Sequence, residues 1–297
     1  MEFKADELAE IANVRDQTRL SYSDLAEQYY GSRALGDELR SAMRTWKRNN
    51  EQHRILDPVG RLFGDTLRIP AIPTLVIGDT HAPYQNKDML MAAFTMAKKR
   101  GVQQLVHAGD LVDAASYNSQ AKHETVTPIE TDIAHARSIL YTAQTFFPKI
   151  KMVPGNHDFY YIKKTDMSFE RFIKEVVLEH KYTHKFETTE FDYLFYDDFA
   201  VIGHLSSGYD VTPGKVAANI AQKYDKHALV GHDHLRGFMQ ADNGKFGISI
   251  GGAFQIGSFW YKERSYNTFP HSMLGFVIIE NRHIWQYNEE LREVQII

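Results

Sequence analysis

The sequence predicts an α/β protein in which two sheets face each other with helices outside, behind a short helical segment at the N-terminal end. Three observations predict it. A short apolar run ending in glycine recurs five times: TLVIG before Asp79, LVHAG before Asp110, KMVPG before Asn156, AVIG before His204 and ALVG before His232. Runs of this length read as buried strands. Stretches of helical spacing alternate with the first of them. After the last, the apolar segments at 247–251, 273–280 and 283–287 are strand-like, and this order of elements suits facing sheets.

The chain has 297 residues, enough for one large domain and a small appendage. Its formal net charge of -4 excludes a global field that would draw in nucleic acid and leaves a local basic patch open. The absence of cysteine excludes disulfides and thiolate ligands, while 14 histidines favour imidazole ligation. The start, MEFKADELAE, lacks the apolar stretch of a signal peptide. No run is long enough to span a bilayer. The expectation is a cytoplasmic protein with no membrane partner and an oligomeric state the sequence leaves open.

Residues 1–56 read as a helical arm. A first helix is expected over 5–14. Ser21, with Asp24 three residues on, opens a second that runs to Tyr30 and stops at Gly31. A third is expected over 37–48, and the short connections allow a helix-turn-helix. Arg40, Arg44 and Lys47 share one face of the third helix, with Trp46 nearby, and are the candidate contacts to DNA or RNA phosphates. The plainer alternative is a solvated charged face on a packing or dimerising arm. Residues 57–73, with Pro58, Gly60, Gly64, Pro70 and Pro73, read as a linker or extended strap.

A single domain is expected over 74–297. A helix over 88–100 places Leu90, Ala93, Phe94 and Ala97 on one stripe, with Gly101 as its stop. Thr127, Pro128 and Glu130 read as the N-cap, first and third positions of a helix carrying Ile133, Ala136, Leu140, Ala143 and Phe147. Further helices are expected over 168–180 and 215–224, and a hairpin turning at Asp197 and Asp198.

The residues after the five glycines carry the chemistry. Asp79 and His81 stand two apart, Asp110 and Asp113 three apart, and Asn156, His157 and Asp158 are consecutive. His204 follows its glycine alone, and His232 and His234 stand two apart. Oxygen and imidazole donors without sulfur suit Mn²⁺, Fe or Zn²⁺. They are too many for one ion, and two ions about 3.5–4 Å apart would use them all. Each piece alone has an ordinary reading: a surface turn, an N-cap acid, or a hydrogen-bonded interior histidine. Their repetition in order, each after a strand and a glycine, does not.

This ordered set resembles the calcineurin-like metallophosphoesterase superfamily, from about residue 74 to the C-terminus, with residues 1–70 outside the match. The resemblance implies a four-layer αββα sandwich with a dinuclear metal site at the strand ends. It implies that Asp79, His81, Asp110 and His234 hold one ion. Asp110, Asn156, His204 and His232 would hold the other, with Asp110 bridging. His157 matches the family's non-ligand histidine beside the scissile phosphate, Asp113 the acid that orients it. Asp158 is expected to hold the loop. Ala114 stands where the protein serine/threonine phosphatases of the superfamily carry arginine, and Asp158 where they carry glutamate, which points toward the nuclease and phosphodiesterase branches. The preferred reading is a metal-dependent phosphodiesterase or nuclease acting on nucleic acid, with Mn²⁺ the favoured metal. The alternatives are a small-molecule phosphomonoesterase or nucleotide hydrolase and, from another class, a non-catalytic binding module with a structural metal site. Tyr117, Lys122, His123 and Arg236 stand near motifs and are equally readable as substrate contacts or ordinary residues. His107, inside a strand, reads as a core histidine.

Overall fold

The computed structural model describes residues 3–51, 67–118, 126–204, 210–258 and 272–297. Lys122 and His123 lie outside the described residues. Contacts divide the chain into two compact units, Met1–Gly64 and Asp65–Ile297.

In the first unit, α1 (Ala5–Thr18), α2 (Tyr22–Tyr30) and α3 (Gly36–Glu51) close on Leu8, Ile11, Leu25, Ala26, Leu39 and Met43, all buried. Leu39 and Met43 are four apart and share a face, as do Leu8 and Ile11 at three. Ser21 caps α2 by accepting the Asp24 N–H at 3.1 Å, and Gly31 ends it at φ 69°. A short 3-10 turn, Arg33–Leu35, joins α2 to α3. α1 runs on to Thr18 rather than stopping near residue 14: Val14 still packs against the core, and the helix ends at Arg19, whose φ of 58° brings its N–H onto the Arg15 carbonyl.

The second unit runs β1 (Arg68–Ile69), β2 (Thr74–Ile77), α4 (Lys87–Lys99), β3 (Gln104–Ala108), α5 (Ile129–Phe146), β4 (Lys149–Val153), α6 (Asn156–Thr165), α7 (Phe169–Arg171), β5 (Phe186–Thr188), β6 (Tyr193–Tyr196) and β7 (Phe199–Ile202). It continues with α8 (Lys215–Tyr224), β8 (His227–Val230), β9 (Arg236–Gln240), β10 (Phe246–Ile250), β11 (Phe276–Glu280), β12 (His283–Tyr287) and β13 (Glu293–Gln295). Among the described residues these strands form a seven-stranded sheet, β13-β12-β11-β2-β3-β4-β5, and a six-stranded sheet, β1-β6-β7-β8-β10-β9.

Side chains alternate along the strands, and the alternation builds four layers. Leu75, Ile77, Leu105, Ile150 and Met152 pack under α4 and α5 with Phe94, Ala97, Ala136 and Leu140. Their neighbours Val76, Val106, Ala108 and Val153 meet Leu194, Val201, Leu229 and Ile248 of the other sheet. The far face of that sheet, Ala200, Ile202, Ala228 and Val230, packs on Ala217 and Ala221 of α8. The unit is an αββα sandwich. No described helix is long and apolar enough to cross a membrane.

Several boundaries differ from the expected ones. Residues 68–69, inside the stretch read as linker, pair in parallel with β6. Thr127 does not cap α5; its hydroxyl donates to Asp132 at 2.9 Å, and Pro128 holds the cap position. The stretch 168–180 is not one α-helix but the turn α7 followed by a π-helical segment, Phe172–Val177. At its end the Arg137 guanidinium takes the carbonyls of Val176 and Val177 at 3.1 and 2.7 Å, so these close on a side chain rather than on a further helical turn. Residues 156–158 begin α6 rather than forming an isolated turn.

Candidate metal centre

β2, β3 and β4 are parallel neighbours, so they end on one edge of their sheet, and parallel β7 and β8 do the same in the other. The five glycine-ended loops therefore meet where the two sheets face. The loops after β2 and β3 are zipped together: Asp79 N–H bonds Gly109 O and His81 N–H bonds Asp110 O, both at 3.0 Å. Glycine is required where the sheets converge. A Cβ on Gly109, at φ 84°, would lie 2.5 Å from the Gly203 carbonyl, and one on Gly155 would run into the Asp110 carboxylate. Asp79, His81, Asp110, His232 and His234 all hold positive φ, at 50°, 42°, 53°, 74° and 56°. Such backbone costs about 1–3 kcal/mol per residue and concentrates at functional sites.

One group of donors is buried. Asp79, His81, Asp110 and His234 offer ligand atoms that all lie within 4.8 Å of one another. His81 Nε2 is 3.0 Å from His234 Nε2 and 3.8 Å from Asp110 Oδ2, while His234 Nε2 is 4.0 Å from Asp79 Oδ1. The Asp79 carboxylate also accepts the His232 N–H at 2.9 Å, tying the loop after β8 to the loop after β2. A second group is more open. His232 Nδ1 is 2.7 Å from Asn156 Oδ1, and the rings of His204 and His232 meet edge to face at 4.8 Å. Two donors about 2.1 Å from one ion and at right angles around it are about 3 Å apart. Both close pairs have that spacing. His204 Nδ1 is buried with no hydrogen-bond partner among the described residues. The donor set and this orphaned nitrogen fit divalent cations.

His157 stands between the groups. Its N–H bonds Asp110 Oδ1 at 2.8 Å, and its Nδ1 is 2.6 Å from the Asp113 carbonyl and 3.4 Å from the Asp113 carboxylate. That carboxylate is nearer to His81 Nδ1, at 3.1 Å, so Asp113 braces two imidazoles at once. Asp158, wholly buried, accepts from Leu111 N–H at 3.1 Å, Val112 N–H at 3.3 Å and Gly155 N–H at 2.9 Å, and so binds the loops after β3 and β4 together.

Electrostatics separate the imidazoles. Burial lowers the pKa of His81 and of His204, and pushes that of His232 down to about 4, which keeps these rings neutral, the form that binds a metal. Burial also disfavours the charge on His157, but Asp110 and Asp113 outweigh it and hold its pKa above the usual histidine value. Burial disfavours the Asp110 anion, yet the surrounding imidazoles, His157 first, hold its pKa below the usual carboxylate range. One histidine of the cluster thus keeps its proton more readily than an ordinary histidine, while its neighbours lose theirs more readily.

The supporting residues were harder to read. Asp132, wholly buried on α5, accepts the Ala114 N–H and the Thr127 hydroxyl, both at 2.9 Å, and fixes Ala114 at φ 46° beside Asp113. Its signal was an acid four residues before Ala136 on the apolar stripe. Asp233, between His232 and His234, is held by the Ser249 hydroxyl and accepts the Leu235 N–H at 3.0 Å. His107 is a core histidine, 3.1 Å from the Thr80 hydroxyl. Arg236 is engaged by the Leu274 carbonyl and Glu289, and Tyr117 by the ring of Tyr161. In the first unit Arg40 pairs with Asp37 at 3.1 Å, Arg44 is exposed, Lys47 is half-buried, and Trp46 packs toward the core.

Comparison with known proteins gives a family. No curated protein matches the chain. Among solved structures, Vps29 complexed with Zn²⁺ from Entamoeba histolytica shares 15% identity over 76% of this chain and 98% of its own, with a TM-score of 0.40. The phosphoesterase YfcE from E. coli shares 14% over 76% and 98%, with a TM-score of 0.43. An archaeal phosphodiesterase shares 15% over 76% and 99%, with a TM-score of 0.39. Likenesses of this size say nothing about what this chain binds or does. The family model for calcineurin-like phosphoesterases, by contrast, matches residues 72–236, more than half of the chain and every loop of the metal centre, so the chain belongs to the calcineurin-like phosphoesterase family.

Proposed function

We propose that the protein hydrolyses phosphate esters at a centre of two divalent cations, Mn²⁺ serving best, and that its substrates are phosphodiesters of nucleic acid. The observation that carries this reading is the position of Asp110. Its carboxylate lies 3.8 Å from His81 in the buried group, accepts the His157 N–H, and acts by its charge on His232 and His204 in the open one. Asp79, His81, Asp110 and His234 would hold one ion, and Asp110, Asn156, His204 and His232 the other. Bound there, the cations would neutralise phosphate oxygens and lower the pKa of a water at the site.

The chain's own groups do the rest. Asp113 holds His157 Nδ1, which leaves Nε2 to give a proton to the departing oxygen. Asn156 contributes a neutral amide oxygen, which limits negative charge where the phosphate arrives. Ala114 offers no guanidinium for a phosphoprotein. The exposed Arg40 and Arg44 face of the first unit supports nucleic acid over a small ester.

The test is turnover by metal-loaded protein on monoester, diester, cyclic and polynucleotide substrates. Diesters and polynucleotides should react, fastest with Mn²⁺, and chelation should abolish it. Turnover of monoesters alone would replace the substrate assignment, and no turnover of any ester would leave a binding module.

A further inference from the structure

α6 leaves the metal cluster carrying Asn156 and His157 in its first turn, and Phe159, Tyr160 and Lys163 beyond. Residues three and four apart share a helix face. Asn156, Tyr160 and Lys163 therefore form one line leading away from the centre, with Phe159 beside Lys163. The Tyr160 ring lies 5.1 Å from that of His157, and its hydroxyl accepts from the Asn156 amide at 3.4 Å. Phe159 and Tyr160 pack one side on the core and are half-exposed on the other. The Lys163 ammonium stands 5.5 Å from the Phe159 ring centroid and is near enough for its charge to act on His204. Lys163 is exposed and pairs with no carboxylate among the described residues.

We infer that α6 carries a subsite for a nucleotide a few steps from the scissile bond of a single-stranded polynucleotide: bases stack along Phe159 and Tyr160, and a phosphate meets Lys163. The inference rests on the phosphodiesterase reading and narrows its substrate to a strand. Aromatic faces with an adjacent cation are the usual means of holding single strands without reading sequence. Lys163 lies seven residues beyond Asn156, about 10 Å along the helix axis. Successive phosphates of a B-form strand rise by about 3.4 Å. At that rise about 10 Å spans roughly three phosphates, so Lys163 is placed for a phosphate further along the strand than the one at the metals, and a small ester does not reach it.

The experiment uses full-length, Mn²⁺-loaded protein with Lys163→Ala, Lys163→Arg and Phe159→Leu. The substrates are a single-stranded DNA oligonucleotide and bis(p-nitrophenyl) phosphate. Lys163→Ala should raise KM for the oligonucleotide several-fold and flatten its log–log salt dependence by about 0.7. Hydrolysis of bis(p-nitrophenyl) phosphate should not change, and Lys163→Arg should restore the oligonucleotide KM. Phe159→Leu keeps an apolar core contact and should raise the oligonucleotide KM by about 5-fold or more through lost stacking. An oligonucleotide that is cleaved as well by Lys163→Ala as by wild type overturns the subsite and leaves the phosphodiesterase reading standing. Equal losses on both substrates also overturn it. If no oligonucleotide is cleaved while bis(p-nitrophenyl) phosphate is, the subsite and the nucleic-acid substrate fall and the phosphodiesterase activity stands.

Discussion

The two halves of the metal cluster are built differently. Asp79, His81, Asp110 and His234 are buried, and the loops that carry Asp79, His81 and Asp110 are held to each other by backbone hydrogen bonds. Asn156, His204 and His232 are half-buried, and a His204 nitrogen in that half lacks a partner among the described residues. A preorganised, water-excluded set gains more from an ion than an open set that must first be ordered. The difference teaches how one centre can keep a resident cation and also offer a face to substrate. Under the proposed function the buried half would fix its ion, and the open half, next to His157, would meet the phosphate.

The change that most directly breaks this division is at the residue common to both halves. Asp110→Asn should weaken the hold on both ions, whose polarisation of a phosphoryl oxygen is worth several kcal/mol. Turnover should drop on the order of 10³-fold or more. Near wild-type turnover after chelation and Mn²⁺ reloading would remove the shared role. Next in size is His157→Ala, which should keep both metals and lose about 10²–10⁴-fold in rate. The loss should shrink on esters with a good leaving group such as p-nitrophenolate. Because Asp110 and Asp113 hold the His157 pKa above its ordinary value, the acid form persists to higher pH. Wild-type rate should fall as pH rises through that pKa, and the variant should lack this limb. A variant profile that kept the limb would assign the proton to another group.

A smaller effect sharpens the picture of the buried side. Burial raises the Asp132 pKa to about 7. A carboxyl whose folded pKa lies above its unfolded value of about 3.9 contributes stability that is fully present below that value. The contribution is lost as pH rises through about 7. Asp132→Asn keeps an acceptor for the Ala114 N–H and cannot ionise. The stability gap between wild type and variant should therefore narrow or reverse between pH 5 and pH 8, measured by thermal unfolding, at about 2–4 °C per kcal/mol. A constant gap would place the proton elsewhere. The smallest effect on chemistry belongs to the arm. Replacing Arg40, Arg44 and Lys47 together by alanine should leave hydrolysis of a small diester unchanged. Each lost phosphate contact should flatten the salt dependence of polynucleotide binding by about 0.7–0.9. An unchanged slope would make that face a packing surface.

Much of this was legible because the signals were local. A strand, a glycine and a donor side chain are consecutive, so Asp79, Asp110, Asn156, His204 and His232 stood out in the sequence, and the order of elements, strand–helix units followed by strands, foretold the facing sheets. What was not legible depends on distant partners. Asp132 reads as a surface acid until α5 is laid against the Ala114 loop. The π-helical segment Phe172–Val177 closes at its end on Arg137, about forty residues away along the chain. β1 is too short to announce itself and exists because β6 offers it an edge. Asp113 looked like the partner of His157 alone, and only the fold brings His81 to the same carboxylate. The line Asn156, Tyr160, Lys163 required knowing that 156–165 is a helix.

The measurement that tests the division most directly is a Mn²⁺ titration of metal-free protein followed by electron paramagnetic resonance, on wild type and His204→Ala. Wild type should take up two ions per chain, the first more tightly, with the second producing a spin-coupled signal. His204→Ala should keep the tight ion and lose the second together with the coupling. One ion per chain in wild type, or two equivalent ions that do not couple, would contradict the account.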